Sequence, residues 1–288
     1  MTRSTSNFIK IIECPRDAMQ GLHDFIPTLK KAEYMQQLLS VGFDTLDFGS
    51  FVSPKAIPQM KDTAQVLSLL DLSKSKTKLL AIVANERGAN DACQFEEIAY
   101  LGYPFSISET FQIRNANSTI DKSLTRLKKI KELAANHNKL MVVYISMGFG
   151  NPYGDEWNVE IVQKWVEVLA ELEISIIQLS DTVGVARPES ISYLFSDLIP
   201  ANPDIEIGAH FHTTPYTWLE KVESAYENGC RRFDGTIKGV GGCPMAQNNL
   251  VGNMPSEHLI TFAKDRKLET NLDFDNYALA MKMAMQIM

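Results

Sequence analysis

The sequence predicts a single (β/α)8 barrel of the TIM type with a C-terminal helical extension. Three observations support this. The chain has 288 residues, 45% of them hydrophobic, which suits the core of one α/β barrel. Short β-branched or aromatic runs alternate with longer amphipathic stretches, the pattern of βαβ units around a parallel sheet. About eight such cycles can be placed, the number that closes a barrel. Residues 1–288 are therefore expected to form one domain.

In chain order, the predicted strands are residues 8–14, 45–51, 78–84, 104–108, 140–146, 175–179, 205–212 and 232–237. Each is a short run rich in Val, Ile, Leu, Phe or Tyr, bounded by polar or turn-forming residues. Between them, residues 29–40, 120–136, 159–172 and 188–198 carry apolar side chains at three- and four-residue spacing with charges between, as helices packed outside a barrel do. Ser118 and Asn158 are expected as caps. Residues 150–157 (GNPYGDEW) are turn-rich enough to form a substantial loop after the fifth strand. The Met-rich tail, residues 276–288, reads as an amphipathic helix that packs under the barrel or against a partner subunit, so a homodimer is among the assemblies expected.

Lys and Arg total 28 against 35 for Asp and Glu, a formal net charge of −7 with both signs scattered. No run of like charges offers a nucleic-acid or membrane footprint, and an anionic substrate would need local donors. Cys14, Cys93, Cys230 and Cys243 lie too far apart for a CxxC motif, so they are expected as free thiols in a reducing compartment. The N-terminal residues form neither a secretory h-region nor a long Arg-rich presequence. No apolar stretch reaches the roughly 20 residues that span a bilayer. The expected location is the cytoplasm.

In such a barrel, chemistry collects where strands end. The polar groups at the predicted strand ends are Arg16 and Asp17, Asp181, His210 and His212, and the stretch Gly239–Pro244 leading to Asn253. A two-residue period puts His210 and His212 on one face of a strand, turned inward, with Ala209 and Phe211 on the other. The pair reads either as hydrogen-bonded histidines or as metal ligands. With Asp17 and Asn253 on the same rim the donors would be two nitrogens and two oxygens, which suits Mg²⁺ or Mn²⁺, with Zn²⁺ or Co²⁺ as substitutes. The glycines around Cys243 suggest a mobile lid carrying a thiol able to exchange protons. Cys93 and Cys230 read as buried thiols on helices. Asp47, on the same side of its strand as Thr45 and Gly49, is an inward acid or base, a partner for Arg16, or a solvated carboxylate. Asp181 alone could cap a helix, and Arg16 with Asp17 alone could be a surface ion pair.

The segments Cys14-Pro15-Arg16-Asp17-Ala18-Met19-Gln20, Ser50-Phe51-Val52-Ser53-Pro54-Lys55, Ser180-Asp181-Thr182-Val183-Gly184, His210-Phe211-His212 and Gly241-Gly242-Cys243-Pro244 resemble the 3-hydroxy-3-methylglutaryl-CoA lyase family. That family belongs to the metallolyase barrels, which include isopropylmalate and homocitrate synthases. Ser106-Ile107-Ser108-Glu109-Thr110-Phe111, with Asn115 and Asn117, matches its fourth-strand region. The resemblance runs from the first strand to the helix after the eighth. It implies metal ligation by Asp17, His210, His212 and Asn253, stabilisation of a developing enolate by Arg16, and Cys243 as the catalytic acid. It also implies Asp181 as a carboxylate near substrate and Lys55 as a contact for the CoA end. The reaction implied is C–C cleavage of a 3-hydroxyacyl-CoA to a keto product and acetyl-CoA, in leucine degradation. The chain departs from the family in carrying Asp47 in place of a Glu, Thr213 in place of an Asp, and Pro215. Its spacing from Cys243 to Asn253 is one residue longer, which makes Asn249 the nearest alternative ligand. Competing readings are a related lyase or a condensing synthase of the same barrel, and a non-catalytic acyl-CoA-binding barrel.

Overall fold

The computed structural model describes residues 7–242 and 251–288. The strands β1 (Lys10–Glu13), β2 (Thr45–Ser50), β3 (Lys78–Ile82), β4 (Ile98–Ser106), β5 (Leu140–Ser146), β6 (Ile176–Asp181), β7 (Glu206–Thr213) and β8 (Arg232–Gly235) form one parallel sheet. Each pairs with its neighbours in chain order, and β8 returns to pair with β1, so the sheet closes into the expected barrel. The predicted strands overlap all eight. The largest boundary difference is β4, which starts at Ile98 rather than 104. Its first six residues, IAYLGY, include a glycine, and that weakens the strand pattern.

Among the described residues the helices are α1 (Pro15–Gln20), α2 (Thr28–Val41), α3 (Thr63–Ser68), α4 (Glu86–Cys93), α5 (Glu109–Ala116), α6 (Ile120–Asn136), α7 (Val159–Glu171), α8 (Pro188–Ala201), α9 (Trp218–Glu227), α10 (Ser256–Asp265) and α11 (Phe274–Ile287). Most of the core lies between strands and helices. Strand residues such as Leu46, Phe48, Leu101, Ile177 and Phe211 meet helix residues such as Leu38, Leu127, Val166 and Leu194 there. Asn158 caps α7 as expected, its side chain accepting from the amide of Ile161 at 2.8 Å. Thr119, not Ser118, caps α6, because its side chain is the one that reaches the amide of Lys122. Cys230 is buried between α9 and β8, not on a helix: the chain has already left α9 at Asn228.

The tail helix α11 is formed, and Asp273 caps it through the amides of Asp275 and Asn276. It lies beside α2 on the flank of the barrel, where Tyr277 meets Phe43 edge-on and Gln37 donates to the Asn276 carbonyl at 2.9 Å. No helix among the described residues is long and apolar enough to cross a membrane.

Two features of the C-terminal rim position the site. Pro15 starts α1 directly after β1, since its fixed φ suits a first helical turn. The chain therefore turns at once and presents Arg16 and Asp17 over the bore. The short strand β9 (Gly252–Asn253) pairs antiparallel with the end of β7, setting Asn253 opposite His212.

Candidate metal centre and its surroundings

Asp17, His210 and His212 each offer one ligand atom, and these atoms lie within 4.8 Å of one another. The two histidines share the inner face of β7, and their rings are 5.4 Å apart. Each ring is fixed through Nδ1: His210 to Asp234 Oδ2 at 3.0 Å, and His212 to the Thr182 carbonyl at 2.7 Å. Nδ1 is thus the protonated nitrogen on both rings, leaving Nε2 as a free lone pair. Burial and the neighbouring His210 push His212 below the usual histidine range, which keeps it neutral. For His210 burial acts in the same direction, but Asp234 outweighs it and the ring is raised.

Asp17 Oδ1 accepts from Arg16 Nη1 at 3.0 Å and Gln20 Nε2 at 2.6 Å, while Oδ2 accepts from Asn253 Nδ2 at 2.7 Å. Burial alone would lift this carboxyl, yet Arg16, both histidines and the Asn253 amide more than offset it and hold Asp17 below its ordinary value. Asn253 also donates to the Val240 carbonyl at 3.0 Å, so both its visible bonds use the amide nitrogen. Its Oδ1 is buried with no hydrogen-bond partner among the described residues. A buried acceptor left unpaired is costly unless something else satisfies it. An orphaned amide oxygen, an ionised carboxylate and two imidazole lone pairs make a mixed N/O set that fits a divalent cation. The extra residue between Cys243 and Asn253 does not displace Asn253, because the β9 pairing returns it to the rim.

The approach of the glycine loop is close. Gly241 has φ +87°, and a Cβ there would lie 2.7 Å from the Asp17 carbonyl and 2.9 Å from Asn253 Nδ2. Only glycine lets that backbone rest on the ligand pair. Cys243, Pro244 and Asn249 lie outside the described residues.

Arg16 is anchored from three sides. Its Nε lies 3.0 and 3.2 Å from the Asp47 oxygens, Nη2 is 2.5 Å from Asp47 Oδ2, and Nη1 also reaches Gln20 Oε1 at 2.9 Å. Asp47 does face the bore, and its shorter side chain leaves it fully buried behind Arg16. Burial lifts its carboxyl to about 6 although the guanidinium pulls the other way. Among the described residues, four of the five guanidinium N–H groups are used, which leaves one Nη2 proton to point at a ligand.

Asp181 does not join this group. Ile176, Gln178 and Ser180 point inward along β6, so Asp181 points outward with Ile177 and Leu179. Its oxygens take Lys221 Nζ at 2.6 Å and the Ala186 amide at 2.9 Å. Lys221, 1% exposed, also donates to the carbonyls of His212 and Gly184. The placement near substrate is therefore corrected: Asp181 braces the loop after β6 and the end of β7. Lys55 is exposed on the loop after β2. Asp234 was missed. Alternation along RFDG puts Arg232 and Asp234 on one face, and an inward acid opposite an inward histidine was the available signal.

A family model described as HMGL-like matches residues 9–283. A Bacillus subtilis hydroxymethylglutaryl-CoA lyase is 32% identical over 93% of this chain and 89% of its own length. A crystal structure of the Bacillus subtilis HMG-CoA lyase superposes with a TM-score of 0.91 at 31% identity, covering 97% of this chain and 93% of that one. The structure of an Acinetobacter baumannii HMG-CoA lyase in complex with coenzyme A and 3-methylmalate gives a TM-score of 0.90 at 29% identity, covering 100% and 93%. With the barrel, the inward histidine pair and Asp17 in place, these likenesses over nearly the whole chain show that the protein belongs to the HMGL-like family.

Proposed function

We propose that the protein is a divalent-metal-dependent lyase that cleaves 3-hydroxy-3-methylglutaryl-CoA to acetyl-CoA and a keto acid. The observation that carries this reading is the convergence of Asp17, His210, His212 and an Asn253 oxygen with no partner among the described residues, beside an Arg16 that keeps one donor free among those same residues. That the Acinetobacter baumannii lyase was crystallised with coenzyme A and 3-methylmalate supports a coenzyme A derivative and a hydroxy acid as the ligand classes.

Asp17, His210, His212 and Asn253 would hold the cation, Mg²⁺ or Mn²⁺ being the choice their oxygens and imidazoles favour. Once bound, it would polarise the substrate's oxygens and acidify the C3 hydroxyl. Asp47, fully buried behind Arg16, holds the guanidinium in place and does not meet the substrate, so the acidified hydroxyl gives its proton to water. The O–H electrons form the keto C=O as the C2–C3 bond breaks, and its electron pair passes into the thioester as an enolate. Arg16, steadied by Asp47, Asp17 and Gln20, directs its free N–H at the developing oxyanion. Protonation at C2 gives acetyl-CoA, and we assign that proton to Cys243. Lys55 is assigned to the CoA end, and the compartment this reading implies is the cytoplasm.

The test is purified protein with Mg²⁺ or Mn²⁺ against a panel of 3-hydroxyacyl-CoAs, following acetyl-CoA release. Turnover of the methylglutaryl substrate that chelator abolishes and added metal restores is the expected result. No release from any member of the panel would overturn the proposal. Cys243→Ser should fold and bind metal yet lose most turnover.

A further inference from the structure

The ligand groups all come from one side of the rim: Asp17 follows β1, the histidines sit on β7, and Asn253 is on β9 beside β7. The opposite half of the bore is the space beside a substrate held there. Beside the inward Gln178 and Ser180, that half carries an apolar cluster. Leu80 and Ile82 of β3, Val142 and Tyr144 of β5 and Ile176 of β6 form a cluster inside the barrel, separate from the outer core, with Val52 packed on it. Leu80 and Val142 are sealed at 0% exposure, whereas Ile82 and Tyr144 keep 8% each and so line the cup. The Tyr144 ring stands edge-on to His210 with centroids 5.8 Å apart, so the apolar wall adjoins the ligand set directly.

Gly102 determines how deep this wall lies. A Cβ there would come within 2.5 Å of Ile82 Cδ1, 2.9 Å of Leu80 Cδ2 and 3.4 Å of Tyr144 Cε2. The missing side chain lets Ile82 lie down into the bore. The charges of the bore are committed elsewhere: Arg16 to Asp47 and Asp17, and Arg232 on the floor to Asp44 and Glu206. The cluster itself, Leu80, Ile82, Val142, Tyr144 and Ile176, carries no cation.

We propose that Ile82 and Tyr144, with Val52, are specificity-determining residues that receive an apolar substituent on C3 of the substrate, and that Gly102 sets the substituent's size through Ile82. This rests on the lyase reading for the substrate's identity. Each methylene the wall buries should raise affinity about fourfold.

The test has two readouts. Calorimetry on the Mg²⁺-loaded protein compares 3-hydroxyglutarate, 3-hydroxy-3-methylglutarate and 3-hydroxy-3-propylglutarate, and kcat/KM is then measured for the matching acyl-CoAs. The parent should prefer methyl over hydrogen by about fourfold. Ile82→Ala, which opens the wall, should move the propyl-to-methyl ratio up to about sixteenfold toward propyl, the worth of the two extra methylenes. Gly102→Ala, which lifts Ile82 into the cup, should erase the methyl preference while leaving 3-hydroxyglutarate bound. If Gly102→Ala does not fold, Ile82→Phe makes the same closure from the other side. Ratios within twofold of the parent in both the opening and the closing variant would overturn the proposal. Acid affinities that follow substituent size without acetyl-CoA release from any thioester would sustain the wall and sink the lyase.

Discussion

Asp234 holds His210 in the one tautomer useful to a metal, and Asp234→Asn should therefore weaken metal binding without changing a ligand. Asp234 is 2% exposed. Its Oδ2 accepts from His210 Nδ1 at 3.0 Å, and Oδ1 accepts from the Gln178 amide nitrogen. An ionised carboxylate only accepts, so Nδ1 must carry the proton and Nε2 the lone pair. An asparagine in the same place has one oxygen for two donors. If its NH2 faces His210, the ring proton moves to Nε2 and a ligand disappears. If its NH2 faces Gln178, two donors meet in a buried site. Outer-shell partners of a ligating histidine are worth about 10–100-fold in metal affinity, or about 1.4–2.8 kcal/mol. Titration with Mn²⁺, reading the free ion by electron paramagnetic resonance, should show a Kd raised by that factor in a protein whose circular dichroism is unchanged. Saturating Mn²⁺ should recover part of kcat. A Kd within about threefold of the parent would refute the tautomer argument.

Arg16→Met should lower kcat by at least about 10² while metal affinity changes little, since it removes a donor aimed at charge that develops only in the transition state. Near-full activity in that variant would withdraw the role, provided unfolding curves show that the buried Asp47 carboxylate is tolerated. Lys221→Met strands Asp181, which is 1% exposed, and should cost about 3–5 kcal/mol in urea unfolding, as removal of one member of a buried ion pair does. A loss below about 1 kcal/mol would mean the pair does not brace β7. Burial pushes Glu13 up to about 8, with Ser256 and the Ile237 amide opposing. Its contribution should be fully present below the unfolded value near 4.5 and lost as pH rises to about 8. The total is on the order of 4–5 kcal/mol at about 1.4 per unit. Glu13→Gln should flatten that slope, and a parent whose stability is level across the window would refute the assignment.

Much of the barrel could be read in advance because each strand is a short β-branched or aromatic run between polar helices, and that pattern is local. The rim was harder. β9 is two residues long, too short for any periodicity, yet its pairing with β7 is what brings Asn253 to His212. The spacing argument that raised Asn249 as an alternative to Asn253 counted residues along the loop and could not register a hydrogen-bonded return to the rim. Lys221 was invisible for a related reason. On α9 it reads as one more charge on an amphipathic helix, and only the approach of that helix to the end of β7 buries it under Asp181.

Strand parity supplies the rule that separates the buried acids of this barrel into two kinds. Asp47 and Asp234 share the inward face of their strands with Thr45 and Arg232, and each serves the bore, one holding Arg16 and the other His210. Glu13 and Asp181 share the outward face with Ile11 and Leu179, both members of the outer core. Each of these closes a join between strand and helix, Glu13 through Ser256 of α10 and Asp181 through Lys221 of α9. Resemblance of motif grouped Asp181 with the reacting residues, whereas the two-residue period of β6 turns it away from them. The same period, applied to RFDG, would have found Asp234. For a strand-end acid in this protein, the direction of the side chain therefore decides between chemistry and bracing, and burial does not, since all four are buried.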